Sequence, residues 1–229
     1  METTAAGVVL ASGAGTRVGA ALNKVYLPVA GRRVVAWSLA AFAAVADLGV
    51  LVLVIRPEDT ALAGEVLAAH PGKVEVVTGG ATRQASELNA LRHLAPRIEA
   101  GAVDAVLIHD AARPLVTPAL ITEVLAQTRE HGGAVPGLAA DDVVSLAADG
   151  SVAARLPGAI RVQTPQGFRA RPLLAAYEQA AAEGFLGTDT ASCMERFSGL
   201  PVHWVPGGVE NLKITYPHDL AVAERLLAR

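Results

Sequence analysis

The stretch Gly7-Val8-Val9-Leu10-Ala11-Ser12-Gly13-Ala14-Gly15-Thr16-Arg17 decides the fold. A short apolar run passes directly into a glycine-rich loop, which is the mark of a buried strand whose carboxyl end opens onto a tight turn. Working outward, the same unit recurs. Residues 32–46 and 58–69 read as helices on either side of an apolar strand at Val50 to Ile55, and Val74 to Val77 forms a third strand closed by Gly79-Gly80. Thr82 is placed to cap a helix reaching about Leu94, and Val103 to His109 is a fourth strand. Thr117-Pro118 supplies a cap and a proline at the first helical position, so a helix runs to about Glu130, followed by a fifth strand at Ala134 to Ala139. Helices at 170–182 and near 190–198, a strand at 202–205 and a last helix from about 217 complete the series. This alternation predicts an α/β fold, a mainly parallel sheet with helices on both faces. Ligands of such sheets bind beyond the carboxyl ends of the strands. Segments 11–17, 79–86 and 110–114 are therefore the ones to read for chemistry.

Residues 141–157 break the pattern. Val143 to Leu146 and Ser151 to Ala154 flank Ala148-Asp149-Gly150, and Asp-Gly between short β-prone runs signals a hairpin. A lone hairpin is marginal in water. Residues 139–158 are accordingly expected to be an arm that packs on a second subunit, with 1–229 forming one domain. Hydrophobic residues at 52% and charged ones at 18% exclude a disordered chain. Nineteen basic and twenty-two acidic residues, a formal charge of -3, argue against non-specific nucleic-acid binding. The single cysteine, Cys193, permits neither an intrachain disulfide nor a Cys-based zinc site. Val34 to Ile55 has the apolar content of a membrane span, but Asp47 and Gly49 divide it into a helix, a turn and a strand. Met1-Glu2-Thr3-Thr4 lacks the basic stretch of a secretory signal. The chain reads as cytoplasmic, without a membrane partner.

Four segments can carry chemistry. In the first loop, Gly13 and Gly15 let backbone amides approach an anion, with Arg17 and Lys24 just beyond, a combination suited to a polyphosphate. The loop is not a P-loop, and Val18 breaks the dinucleotide pattern. In His109-Asp110-Ala111-Ala112-Arg113-Pro114, a carboxylate at a strand end can hold magnesium or substrate hydroxyls, two small residues admit a flat ring, and Arg113 is a phosphate donor. A capping aspartate with a surface arginine explains the same hexamer structurally. His109 reads as a packed histidine rather than a base. Gly79 to Ser86 pairs glycines with hydroxyls at a helix start, which helix capping also explains. In Glu210-Asn211-Leu212-Lys213-Ile214-Thr215 a lysine interrupts an apolar β-prone run, so that Lys213 reaches a ligand anion or lies on an edge strand.

Taken in order, these segments resemble the 2-C-methyl-D-erythritol 4-phosphate cytidylyltransferases of the non-mevalonate isoprenoid pathway. The resemblance rests on residues 11–17, Asn23-Lys24-Val25-Tyr26-Leu27, Gly79-Gly80 with Arg83 and Ser86, 109–114, Gln163-Thr164-Pro165-Gln166, Thr188-Asp189 and Asn211-Leu212-Lys213. It implies a Rossmann-like nucleotidyltransferase fold, a homodimer joined by the hairpin arm, and transfer from CTP to a polyol phosphate with Mg²⁺. Arg17, Lys24 and Lys213 are the implied catalytic cations. Ala11, Ser12, Gly13, Ala14, Gly15, Gly80, Ser86, Asp110 and Ala111 would bind CTP. Asp110, Arg113, Thr164, Lys213 and Arg155 of the partner subunit would bind the acceptor, and Asp110 the metal. The family's usual arm threonine is Asp142 here, its return-strand arginine falls at Leu156 beside Arg155, and the glutamate usual after Thr188-Asp189 is Thr190. These departures keep a second acceptor such as ribitol 5-phosphate open. The remaining rivals are a nicotinamide-dependent oxidoreductase, which Arg56-Pro57 after the second strand disfavours, and an inactive nucleotide-binding paralogue.

Overall fold

The structure is a computed structural model that describes residues 3–13 and 22–228. Its strands are β1 (Thr4–Leu10), β2 (Pro28–Val29), β3 (Arg32–Arg33), β4 (Leu48–Ile55), β5 (Glu75–Thr78), β6 (Val103–Asp110), β7 (Gly133–Ala139), β8 (Val144–Leu146), β9 (Val152–Arg155), β10 (Ile160–Val162), β11 (Gln166–Arg169) and β12 (Val202–Pro206). The helices are α1 (Val34–Ala43), α2 (Thr60–Ala68), α3 (Arg83–Glu99), α4 (Pro118–His131), α5 (Ala170–Ala182), α6 (Thr190–Phe197) and α7 (Pro217–Leu227).

β1 lies at the centre of the main sheet, parallel to β4 on one side and β6 on the other, and β5 continues the sheet parallel to β4. β11 runs antiparallel between β6 and β7, while β12 lies parallel to β7 and β10 antiparallel to its distal half. The result is the mainly parallel α/β architecture that the alternation predicts. Side chains of the central strands alternate between the faces. Val9, Leu53 and Leu107 pack under α1, α2 and α4, through Leu39, Phe42, Val66, Ile121 and Val124. Val8, Val52, Val106 and Ile108 pack on the other face against Leu91, Leu94, Leu173, Tyr177 and Met194 of α3, α5 and α6. Burial on both faces is why these strands read as unbroken apolar runs.

Register places the site. Leu10 pairs with both Val54 and Asp110, and Ile55 with Thr78, so the central strands end at one level. Three backbone bonds continue this alignment past the strand ends: Ala11 N–H donates to Val54, Ala111 N–H to Leu10 and Gly79 N–H to Ile55, at 2.8–3.0 Å.

Three expectations are corrected. The helix expected over 32–46 begins at Val34, because Arg32-Arg33 pairs with Pro28-Val29 as a short ribbon. α3 passes Leu94 and Pro96 to end at Glu99, since Ile98 extends its buried stripe and sits fully buried in the core. The β-prone run 210–215 forms no strand: it is irregular chain, tied to the site by Ile214 N–H donating to Ala112. The hairpin of β8 and β9 is present as expected, turning at Gly150 with φ 84°. Among the described residues no helix is long and apolar enough to cross a membrane.

Gly7 shows how closely α1 sits on β1, because a Cβ added there would lie 2.5 Å from a ring carbon of Phe42. Gly7→Ala should cost about 1–3 kcal/mol of stability through overpacking. Urea denaturation measures this, and an unchanged midpoint would mean that α1 is not seated as described.

Candidate active site

A cleft of about 700 Å³ opens where β1, β4, β5 and β6 end together. Its walls include Ser12 and Gly13 after β1, Arg56 after β4, Gly79 and Gly80 after β5, Asp110 and Ala112 at the end of β6, Lys24, and Lys213 from the irregular 207–216 segment.

The cleft is organised around Asp110. Lys213 Nζ donates to Oδ2 at 2.7 Å, and Arg83 Nε and Nη2 both approach Oδ1 at 3.4 Å. Burial alone would raise this carboxyl. The Arg83 and Lys213 cations, with the Lys213 hydrogen bond, outweigh it and hold the group well below the usual carboxylate range. Behind it, Thr164 Oγ1 accepts from Asp110 N–H at 3.1 Å and meets His109 Nδ1 at 3.0 Å. His109 is fully buried, and burial pushes its imidazole down to about 4. Its Nε2 faces the carbonyl of Arg113 at 3.3 Å, an acceptor that requires the proton on Nε2. Nδ1 is then an acceptor, and the Thr164 hydroxyl donates to it. His109 thus braces the strand end, the packed role that the sequence suggests.

The glycine pair is forced by space. A Cβ on Gly79 would stand 2.5 Å from Ser12 Cβ, and one on Gly80 2.5 Å from Ala85 Cβ. Ser86 Oγ accepts from the Ser12 hydroxyl at 2.9 Å and from Gly80 N–H at 3.0 Å, and donates to the Thr82 carbonyl at 2.9 Å. Opposite, Asn23 caps the short helical turn that carries Lys24, and its amide donates to the Ala11 carbonyl at 2.9 Å and to Asp59 at 2.8 Å. Arg56 holds the same Asp59 through two bonds of 2.8 Å. Lys24 is therefore fixed relative to the end of β1 by the neighbouring Asn23 side chain and by Arg56 and Asp59 of the segment after β4.

Of the residues singled out in the sequence, Ser12, Gly13, Lys24, Gly80, Ser86, Asp110 and Lys213 meet at the cleft. Ala11 and Ala111 are fully buried beneath it, and Ala112 rather than Ala111 reaches its surface. Thr164 is 4% exposed and braces Asp110 from behind. Arg113 is half-buried, with Nη1 donating to the Asn211 carbonyl at 2.7 Å. Arg155 is exposed on the hairpin, outside the cleft lining. Ala14, Gly15 and Arg17 lie outside the described residues. Sequence reasoning assigned no role to Arg83 or Glu87, although their i,i+4 spacing after the Thr82 cap is the signal of a paired helix face. Among the described residues no three acidic, histidine or cysteine side chains cluster as a metal site, and the buried Cys193 thiol is pushed up to about 11 by burial.

Comparison with known proteins points to one family. The family model described as IspD, 2-C-methyl-D-erythritol 4-phosphate cytidylyltransferase, matches residues 5–229. A 2-C-methyl-D-erythritol 4-phosphate cytidylyltransferase of Cereibacter sphaeroides (strain KD131) is 44% identical over 227 residues, covering 98% of this chain and 97% of the relative. One of Thermosynechococcus vestitus is 38% identical, covering 95% and 92%. Among solved structures, the 4-diphosphocytidyl-2C-methyl-D-erythritol synthase of Anaerococcus prevotii superposes with a TM-score of 0.87 at 27% identity over 99% of each chain. The Thermus thermophilus cytidylyltransferase superposes at 0.73, with 31% identity over 100% of each chain.

Thr164→Val removes the hydroxyl behind Asp110 and leaves a buried amide unpaired, a loss of about 1–3 kcal/mol. Denaturant melts should show it, and Thr164→Ser should recover most of it. Equal stability of the valine variant and the parent would contradict the bracing role.

Proposed function

The chain belongs to the 2-C-methyl-D-erythritol 4-phosphate cytidylyltransferase family, and from that premise we propose how its cleft carries the reaction. The activity is cytidylyl transfer in isoprenoid biosynthesis: CTP and 2-C-methyl-D-erythritol 4-phosphate give 4-diphosphocytidyl-2-C-methyl-D-erythritol and pyrophosphate. The observation that carries the reading is that Lys24 and Lys213, far apart in sequence, line one cleft with the Ser12-Gly13 and Gly79-Gly80 backbones.

An acceptor phosphate oxygen attacks the α-phosphorus of CTP. The new P–O bond forms as the bond to the β-phosphate oxygen breaks, and pyrophosphate leaves. Such a transfer needs alignment and positive charge rather than a protein nucleophile. Lys24 and Arg17 offset charge on the triphosphate, and Lys213 orients the acceptor phosphate. The Ser12-Gly13 and Gly79-Gly80 segments line the cleft, and their backbones can approach the nucleotide there. Arg113 does not line the cleft, but its bond to the Asn211 carbonyl couples it to the Lys213 segment, through which it would act on the acceptor.

Magnesium with a nucleotide takes one or two carboxylates and completes its shell with phosphates and water. Asp110, which lines the cleft together with the more exposed Glu58, fits that requirement, and bound Mg²⁺ would supply neutralisation of the triphosphate charge. A homodimer through residues 139–158 is supported by the hairpin's apolar surface: Leu146 and Val152 form a cross-strand pair, and both are about two-thirds exposed at 64% and 65%. Arg155 pairs with Val144 in the same hairpin, a position from which it can serve the partner's acceptor site. Asp142, the residue at odds with an acceptor phosphate, is held by Arg161 at 2.6 Å on the exposed surface, which offsets its charge.

Incubation with CTP, Mg²⁺ and 2-C-methyl-D-erythritol 4-phosphate should release pyrophosphate, and ribitol 5-phosphate should not replace the acceptor. Lys24→Ala and Lys213→Ala should each lower kcat about 10²–10³-fold while the far-ultraviolet spectrum stays native. Near-normal turnover of either variant would remove that lysine from the mechanism. Arg155→Ala should raise KM for the polyol phosphate and leave KM for CTP unchanged. If both constants stay at wild type, the arm does not serve the acceptor site.

A further inference from the structure

Glu87 sits where α3, α5 and α6 meet and is 1% exposed. Every polar contact it makes is a donor aimed at it. Arg83 Nη1 and Thr190 Oγ1 each reach Oε1 at 2.6 Å, and the Tyr177 hydroxyl reaches Oε2 at 2.9 Å. Burial raises this carboxyl above its usual range, and Arg83 and the two hydroxyls oppose that shift only in part. Three donors without an acceptor suit the anion. A carboxylate this deep, away from the cleft, is costly unless paired, and its partner is the arginine that also faces Asp110.

Arg83 is held unequally. Its contact with Glu87 is short, whereas both of its approaches to Asp110 are 3.4 Å, well beyond the roughly 2.7–2.9 Å of a charge-assisted hydrogen bond. Asp110 in turn meets Lys213 at 2.7 Å. From core to cleft the charges alternate as Glu87, Arg83, Asp110 and Lys213.

We propose that Glu87 is a positioning residue for the reaction: it draws the Arg83 guanidinium back from Asp110, so that the Asp110 carboxylate stays available to Lys213 and to the cation that accompanies the nucleotide. Without Glu87, Arg83 keeps Asp110 as its remaining carboxylate partner in the described structure and closes onto it. Thr190 and Tyr177 complete the grip by occupying the carboxylate edges that Arg83 leaves open. This inference rests on the reading of Asp110 as the cation-binding carboxylate.

Glu87→Gln preserves shape and can still bond to both hydroxyls. It should lower kcat and weaken Mn²⁺ binding, read by electron spin resonance in the presence of CTP, each about 10–100-fold. Thr190→Glu added to Glu87→Gln returns a carboxylate to the same guanidinium, since Thr190 Oγ1 lies 3.4 Å from Arg83 Nη1, and should restore most of both. Asp110→Asn is the reference. If Asp110→Asn retains wild-type Mn²⁺ affinity, the Asp110 reading fails. If it loses that affinity while Glu87→Gln keeps both wild-type affinity and turnover, the positioning role alone is overturned. Should Glu87→Gln not fold, Arg83→Met with Glu87→Met removes both charges from the core together. Wild-type Mn²⁺ affinity in that variant supports the proposal, because no guanidinium remains to close on Asp110. A loss as large as that of Asp110→Asn overturns it.

Discussion

A carboxylate at the end of β6 is kept ionised against its own burial, and the arrangement of the cleft follows from that. Asp110 stands at 13% side-chain exposure between Arg83 and Lys213, and their attraction exceeds the cost of removing its charge from water. The two cations come from a helix start and from an irregular segment near the carboxyl terminus. The sheet must therefore bring together pieces of chain that are remote in sequence, and the level endings of β1, β4 and β6 allow this. Once the central strands stop at one height, the loops after them face a common space. In that space the described lining sets Lys24, Arg56, Arg83 and Lys213 against Glu58 and Asp110, an excess of positive charge.

Much of the fold was legible because it rests on local periodicity. The apolar runs at β1, β4 and β6, the Thr82 and Thr117 caps and the Asp149-Gly150 turn each act over a few residues, and each stands where the sequence places it. The features that were not legible depend on distant partners. Lys213 lies in a β-prone run that forms no strand, because its segment answers to Asp110, Arg113 and Ala112 rather than to a neighbouring strand. β11 inserts antiparallel between β6 and β7, a pairing that four residues of composition cannot announce. α3 continues through Pro96, ordinarily a helix breaker, because Ile98 beyond it is buried in the core.

The site divides in the same way. Gly79, Gly80 and Lys24 could be picked out because their residue types suit anion binding, and Asp110 because a carboxylate at a strand end can hold a cation or hydroxyls. Thr164, by contrast, reads only as part of a motif, and its contacts with both the Asp110 amide and the buried His109 become visible only in space. Glu87 was invisible as a participant because a glutamate on a helix is ordinarily a solvated one, and here two other helices, α5 and α6, enclose it. The hairpin is the converse case: its turn was plain, while the exposed apolar pair of Leu146 and Val152 emerges only in the structure.

The most direct measurement of the central claim is anomalous diffraction from crystals grown with CTP and Mn²⁺. The account predicts a manganese peak bound by the Asp110 carboxylate and the nucleotide phosphates, with Lys213 beside the same cleft. A well-occupied nucleotide whose manganese lies away from Asp110 would contradict it.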